Sequence, residues 1–187
     1  MTRLQALVLN LYLHLRALPR QDKPVHKIVY LSLGSNLGDR AANLRVAIEK
    51  LATLGAVEAV SAFYETEPVE FAAQPWFLNC AAKLNTEKMP RQLIFGILSL
   101  ERSMGRQRVQ KNGPRTIDVD ILLFGSSVID TASLTVPHPK LHERRFVLEP
   151  LAEIAPEVRH PVFKRTMREL RDALSAGQAV RRVTKTT

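Results

Sequence analysis

Two periods of hydrophobic and polar residues run along this chain, and the switches between them mark its elements. Ile28 to Leu33 (IVYLSL) is short and mostly apolar, which predicts a strand. Beyond the turn GSNLGD, Ala41, Leu44, Ile48, Leu51 and Leu54 recur every three or four residues. They predict a helix with Asp39 as N-cap and Gly55 as its stop. Val57 to Tyr64 and Phe77 to Leu84 read as strands joined by a loop, TEPVEFAAQP, too long for a tight hairpin. Pro90 opens a second helix, with Leu93, Ile94, Ile97, Leu98 and Leu100 on a broad apolar face and Gly105 closing it. Ile117 to Phe124 is a fourth strand.

The order β-α-β-β-α-β predicts an α+β fold: a ferredoxin-like core with an antiparallel sheet and its helices packed on one face. A C-terminal extension adds the loop LTVPHPKLHERRF, a short helix near Leu148 to Ile154 and another from about Thr166 to Ala176. Ahead of the core, Leu4, Leu7, Val8, Leu11, Leu15 and Leu18 keep helical spacing until Pro19 and Pro24 interrupt it. Residues 1–27 are therefore expected to form a helical extension, and 28–187 a single domain.

Composition changes this picture little. With 45% hydrophobic and 24% charged residues the chain is globular. Its lone cysteine, Cys80, cannot form an internal disulfide, and five scattered histidines offer no zinc spacing, so a reducing, cytoplasmic setting is expected. Asn10 and His14 break the only leucine-rich stretch below the ~18 uninterrupted apolar residues of a membrane span, and no membrane partner is expected.

Charge changes it more. The formal net charge is +9, but residues 1–27 carry +4 and 164–187 carry +5, leaving 28–163 neutral. Nucleic-acid binding needs basic residues clustered on one surface, so none is expected here. One run is different: Arg102, Arg106, Arg108, Lys111 and Arg115 follow one another with no acid between them.

That run leads into GPRTIDVDILLFG, which sets Asp118 and Asp120 in an apolar strand. Residues i and i+2 of a strand face the same way, ~6.6 Å apart, so the two carboxylates share a face while Ile117, Val119 and Ile121 pack on the other. Like charges that close raise each other's pKa unless a cation neutralises them, and hard oxygen ligands favour magnesium. A bare Asp-x-Asp is more often a solvated strand face. Its company points elsewhere: Arg115 precedes the pair by three, and Arg106 and Arg108 are spaced to project together. Guanidinium forks bind phosphate oxygens in pairs, so the constellation suggests a magnesium polyphosphate. No G-x-x-x-x-G-K-[ST] occurs, and GSNLGDR is as well explained by a turn before a helix as by a phosphate cradle.

GRQRVQKNGPRTIDVDILLFG resembles the signature of the 6-hydroxymethyl-7,8-dihydropterin pyrophosphokinases of folate biosynthesis. YLSLGSNLGDR, FYETEPV with QPWFLNCAAKL, and LTVPHPKLHERRFVLEPLAEIAP agree in the same order and cover most of residues 28–158. The resemblance implies a ferredoxin-like α+β fold and transfer of diphosphate from ATP to the pterin's hydroxymethyl group, releasing AMP. It implies two magnesium ions held by Asp118 and Asp120, with Arg106 and Arg115 among the catalytic groups. Arg106, Arg108, Arg115, His138 and Arg144 match ATP-phosphate contacts, and Glu101 and Ile121 fall at nucleotide contacts. Phe77 and Phe146 correspond to two rings that clamp the pterin, and Asn79 shares Phe77's strand face. Main-chain groups near Thr66 and Val69 complete that pocket. Segments 66–75 and 106–115 correspond to loops that close over the nucleotide. Asn112 stands where some members carry tryptophan, and Glu67 and Glu70 replace more neutral residues. The partners expected are ATP and the pterin, bound by a monomer.

Two other classes fit parts of the pattern. Ferredoxin-like sheets also bind RNA through exposed aromatics, although the sequence lacks the corresponding K/R-G-F/Y-G/A-F-V-x-F/Y string. Asp-x-Asp also serves metal-dependent nucleases and glycosyltransferases.

Overall fold

The computed structural model describes residues 25–69, 73–106, 113–175 and 177–184. The helix expected before Pro24, and Arg108, Asn112 and Glu70, lie outside the described residues.

Strand β1 (Lys27–Ser35) occupies the middle of the sheet because both its edges find long antiparallel partners. One is β4 (Phe77–Thr86), in register from Lys27 opposite Thr86 to Ser35 opposite Leu78. The other is β5 (Asp118–Phe124), where Ser32 faces Asp120 and Gly34 faces Asp118. The far edge of β4 is shared between β2 (Ala56–Val60) and β3 (Tyr64–Thr66), completing the arrangement expected of a ferredoxin-like core. The expected strand Val57 to Tyr64 is thus two strands. Between them the Ser61 hydroxyl accepts a hydrogen bond from the Ala81 N–H at 2.9 Å. A side chain takes the place of a ladder carbonyl there, and the backbone leaves the sheet for three residues.

Helix α1 (Arg40–Leu51) begins where expected, with Asp39 Oδ1 accepting from the Ala42 N–H at 2.9 Å. It packs with α2 (Pro90–Ser103) on one face of the sheet. Leu44, Ala47, Leu51, Leu93 and Ile97 are fully buried there against alternate strand residues Val29, Leu31, Leu33, Cys80, Ala82 and Leu84. At ~25 cal/mol per Å² of apolar surface, this layer is the main source of stability.

The opposite face belongs to the C-terminal extension. Helix α3 (Arg145–Ile154) starts three residues before the expected Leu148, and α4 (Met167–Asp172) opens with a Thr166/Glu169 capping box. Val147, Leu148, Leu151, Met167 and Leu170 cover Tyr30, Ala81, Leu122 and Leu123. A bulge puts Leu122 and Leu123 together on this side: Tyr30 pairs with Leu123, but its neighbour Leu31 pairs with Ile121.

Three short strands escape the sequence pattern. β6 (Ile129–Thr131) and β7 (Leu134–Val136) form a hairpin, and β8 (Val180–Arg182) adds to the free edge of β3. No helix among the described residues is long and apolar enough to cross a membrane.

Candidate active site

Helices α3 and α4 cover only part of their face of the sheet. Beyond the N-terminus of α3 the strands turn polar, with Ser32 and Gly34 on β1, Phe77 and Asn79 on β4, and Asp118 and Asp120 on β5 all lining a cavity of about 240 Å³. Thr66 to Val69, Gln74, Arg106, Arg115, Arg144 and Phe146 form its rim and walls. Strand alternation puts the two carboxylates on one surface, and that surface is the floor of the cavity.

The carboxylates differ in their surroundings. Asp118 lies between two guanidiniums: Arg106 at 2.7 Å from Oδ1, and Arg115 Nε at 3.1 Å from Oδ2. Burial pushes the Asp120 carboxyl up to about 7; repulsion from Asp118 adds to the rise, and Arg144 opposes it. A buried carboxyl held that far above its ordinary range has less positive charge around it than its burial and the Asp118 charge would need, even with Arg144 and Arg115 nearby. Oxygen donors, a shared face and this deficit fit a magnesium ion, which takes one or two protein carboxylates and completes its shell with water and substrate oxygens. The described residues hold no cluster of three or more His, Cys, Asp or Glu side chains suited to a metal.

The arginines are held from behind. Glu101, in the last turn of α2, is only 2% exposed; it pairs with Arg106 and accepts from the Val119 N–H of β5 at 2.8 Å. Burial raises its pKa, and Arg106 works against that rise. Glu101 therefore sits beneath the cavity, joining α2, β5 and Arg106. Asn36, 2% exposed, does the same for the loops: its Oδ1 accepts from the Arg115 N–H at 2.7 Å, and its Nδ2 donates to Gln74 Oε1 at 3.0 Å and the Pro75 carbonyl at 3.2 Å. The GSNLGD turn thus braces the cavity's loops through a side chain.

On the opposite wall, Asn79 Nδ2 donates to Thr66 Oγ1 at 2.7 Å, and both residues are buried. A Cβ at Gly34 would fall 2.5 Å from Asn79 Oδ1, so any larger residue there must displace that amide. Each aromatic ring has a guanidinium at its side: Arg115 lies 5.4 Å from the Phe77 centroid, and Arg144 lies 5.5 Å from that of Phe146.

The cavity brings together Arg106, Arg115, Asp118, Asp120, Arg144, Thr66, Val69, Phe77, Asn79 and Phe146 from the expected set. Glu101 and Ile121 are buried outside its lining, and Ile121 belongs to the core under α1 and α2. His138 also lies outside it. Burial, reinforced by Arg144, pushes its imidazole down to about 4, so the ring is neutral at physiological pH. His138 Nδ1 accepts from the Lys140 N–H at 3.1 Å, which leaves the proton on Nε2. Ser32 and Gly34 line the cavity without having been singled out, and Pro68 and Gln74 were covered only as part of segment 66–75. Ser32 had a signal, as the only polar residue of IVYLSL.

A cleft at the polar end of an antiparallel α+β sheet, with paired carboxylates, arginines and two aromatic rings, has the chemistry suited to an anionic ligand beside a flat ring. The family described as 7,8-dihydro-6-hydroxymethylpterin-pyrophosphokinase matches residues 30–156, and the chain belongs to it. It is similar to the 2-amino-4-hydroxy-6-hydroxymethyldihydropteridine pyrophosphokinase of Bacillus subtilis (strain 168), with 46% identity over 136 residues, 72% of this chain and 81% of that protein. The protein of the same name from Aquifex aeolicus (strain VF5) is 43% identical over 76% of this chain and 89% of its own length. The folic acid synthesis protein fol1 of Pneumocystis carinii is 44% identical over 73% of this chain, which spans 19% of that longer relative. A crystal structure of Plasmodium falciparum HPPK-DHPS superposes with a TM-score of 0.67 over 81% of this chain and 46% of its own; at 18% identity this likeness shows the fold alone.

Proposed function

We infer that this chain transfers the terminal diphosphate of ATP to the hydroxymethyl group of 6-hydroxymethyl-7,8-dihydropterin, releasing AMP, as a step of folate biosynthesis. The observation that carries the reading is the convergence of Asp118, Asp120, Arg106, Arg115 and Arg144 with Phe77 and Phe146 on one cavity. In the reaction the hydroxymethyl oxygen forms a bond to the β-phosphorus, the bond from that phosphorus to the α–β bridging oxygen breaks, and the hydroxyl proton is released. Asp118 and Asp120 would hold two magnesium ions, which supply charge neutralisation for the phosphates and lower the pKa of a coordinated hydroxyl.

The chain's own side chains orient and screen. Arg106 and Arg115 hold Asp118 in place, and Arg106, Arg108, Arg115 and Arg144 are assigned to the phosphate oxygens by resemblance. Neutral His138 offers a donor that adds no charge beside Arg144. Glu101 works by holding Arg106, and Ile121 by packing β5 beneath the nucleotide site. Phe77 and Phe146 take the pterin ring, with Asn79 and the main chain near Thr66 and Val69 at its edge. Alignment of the reactants accounts for most of the acceleration. A monomer in a reducing cytoplasm is the setting expected for it, in keeping with a single cysteine, Cys80, that is buried in the core.

The RNA-binding alternative requires an open sheet face, whereas α3 and α4 cover much of this one. Incubation with ATP, the pterin and magnesium is expected to yield AMP in step with consumption of the pterin, and chelation of magnesium to stop it. AMP formation that ignores either the pterin or chelation, or tight salt-steep RNA binding without AMP, would overturn the reading.

A further inference from the structure

The last described residues reach the cavity by a route that neither the pattern of the sequence nor the matched residues 30–156 covers. Strand β8 pairs with β3, setting Val180 opposite Thr66 and Arg182 opposite Tyr64. This register carries the preceding residues past the end of β3, beside the loop that begins at Glu67. There Ala179 is tied to Glu67 twice: the Glu67 N–H donates to the Ala179 carbonyl at 3.2 Å, and the Ala179 N–H donates to Glu67 Oε1 at 3.0 Å.

Gln178 makes the connection that matters. Its Nε2 donates to the Glu67 carbonyl at 3.1 Å, and its Oε1 accepts from the Phe146 N–H at 3.2 Å. Phe146 is the second residue of α3, whose own N-cap residue, Arg144, makes no side-chain capping bond. The first N–H groups of a helix have no partner within it, and an acceptor usually comes from the residue at the cap. Here it comes from a residue 32 positions later in the chain. One amide thus fixes the helix end that carries Phe146 to the loop that carries Glu67, Pro68 and Val69, and all four residues line the cavity. Arg181, packed 5.3 Å from the Trp76 ring next to Phe77, and Arg182, bonded to Glu153 of α3 at 3.1 Å, anchor the strap on either side.

We propose that the C-terminal strap 177–182 is part of the substrate site and that Gln178 is a positioning residue for the pterin, setting the Phe146 ring and the Glu67–Val69 loop at a fixed spacing. This rests on the assignment of the pterin to the cavity between Phe77 and Phe146. A flat ring gains from stacking only when its walls stand at the right separation, so a strap that sets the separation governs affinity for the ring and leaves the phosphate side alone.

The test uses the full chain with Gln178→Met, which keeps size and loses both bonds, and Gln178→Glu, which keeps the acceptor for Phe146 and loses the donor to Glu67. Steady-state kinetics of AMP release are read for the pterin and for ATP separately, alongside thermal unfolding. Gln178→Met is expected to raise the pterin KM about tenfold while kcat and the ATP KM stay within twofold of wild type, with Gln178→Glu in between. An unchanged pterin KM in a folded Gln178→Met protein overturns the proposal, and so does a parallel change in both KM values and kcat, which marks a purely structural role. Should Gln178→Met not fold, the Gln178→Glu pterin KM decides in the same way. Phe146→Ala separates the two layers: if it too leaves pterin affinity unchanged, the assignment of the cavity fails; if it weakens binding while the Gln178 variants do not, the strap alone fails.

Discussion

At the scale of single residues, the site depends on groups that hold its lining in place. Glu101 holds Arg106 from a position closed to water, and removing one partner of such a pair leaves a charge without compensation. Glu101→Ala is therefore expected to destabilise the fold by about 3 kcal/mol, whereas Glu101→Gln, which still accepts from Val119, should lose about 1 kcal/mol; urea unfolding measures both. Gly34→Ala tests another close approach, because the added methyl meets Asn79 Oδ1 at 2.5 Å. It should displace that amide from Thr66 and weaken pterin binding, with a stability loss of about 1–3 kcal/mol, read by pterin titration and thermal unfolding. Strand alternation converts spacing directly into facing, so the shared face of Asp118 and Asp120, and that of Phe77 and Asn79, was legible, whereas the assignment of Phe77 and Asn79 to a ligand came from the resemblance. Asn36 acts through contacts with Gln74, Pro75 and Arg115, far along the chain, and Glu101 through a bend that returns Arg106 and β5 to it; no local pattern encodes those contacts.

At the scale of elements, α3 is tied to the edge of the sheet by Glu153, which accepts from the Tyr64 hydroxyl at 2.8 Å, the Ala62 N–H at 3.2 Å and Arg182 at 3.1 Å. Burial by itself would raise the Glu153 carboxyl, but these donors outweigh it and bring the group below its ordinary value of 4.5. A carboxyl with a depressed folded pKa contributes stability that is fully present above the unfolded value and lost as pH falls through the folded one. Unfolding measured on either side of pH 4.5 should show wild type losing more stability on acidification than Glu153→Gln, and the variant should be weaker by about 1 kcal/mol at neutral pH. An equal acid loss in both proteins would remove Glu153 from this role. The long elements were legible because each spans several repeats of its period. Strands β6, β7 and β8 have three residues each, too few for alternation to register, and β8 exists because the edge of β3 offers it a ladder. The break at Ser61 was hidden for a related reason: a hydroxyl completes the ladder where the pattern of the sequence continues.

At the scale of the whole molecule, one sheet divides two kinds of work. The face under α1 and α2 is apolar along its length and supplies stability; the other is half covered by α3 and α4 and half open as the cavity. The neutral total of 28–163 includes charges paired at the site itself, where Glu101 and Asp118 face Arg106 and Arg115. Bulk charge therefore described the ends of the chain, and only the order of residues around Asp118 described its centre. The account stands on the paired carboxylates of β5, and the most direct measurement is the rate of AMP release by Asp118→Asn and Asp120→Asn at saturating magnesium, ATP and pterin. Both variants should fold as wild type and turn over at least about 100-fold more slowly, since a neutral amide is a poor ligand for a hard cation. Rates equal to wild type in both would contradict the account.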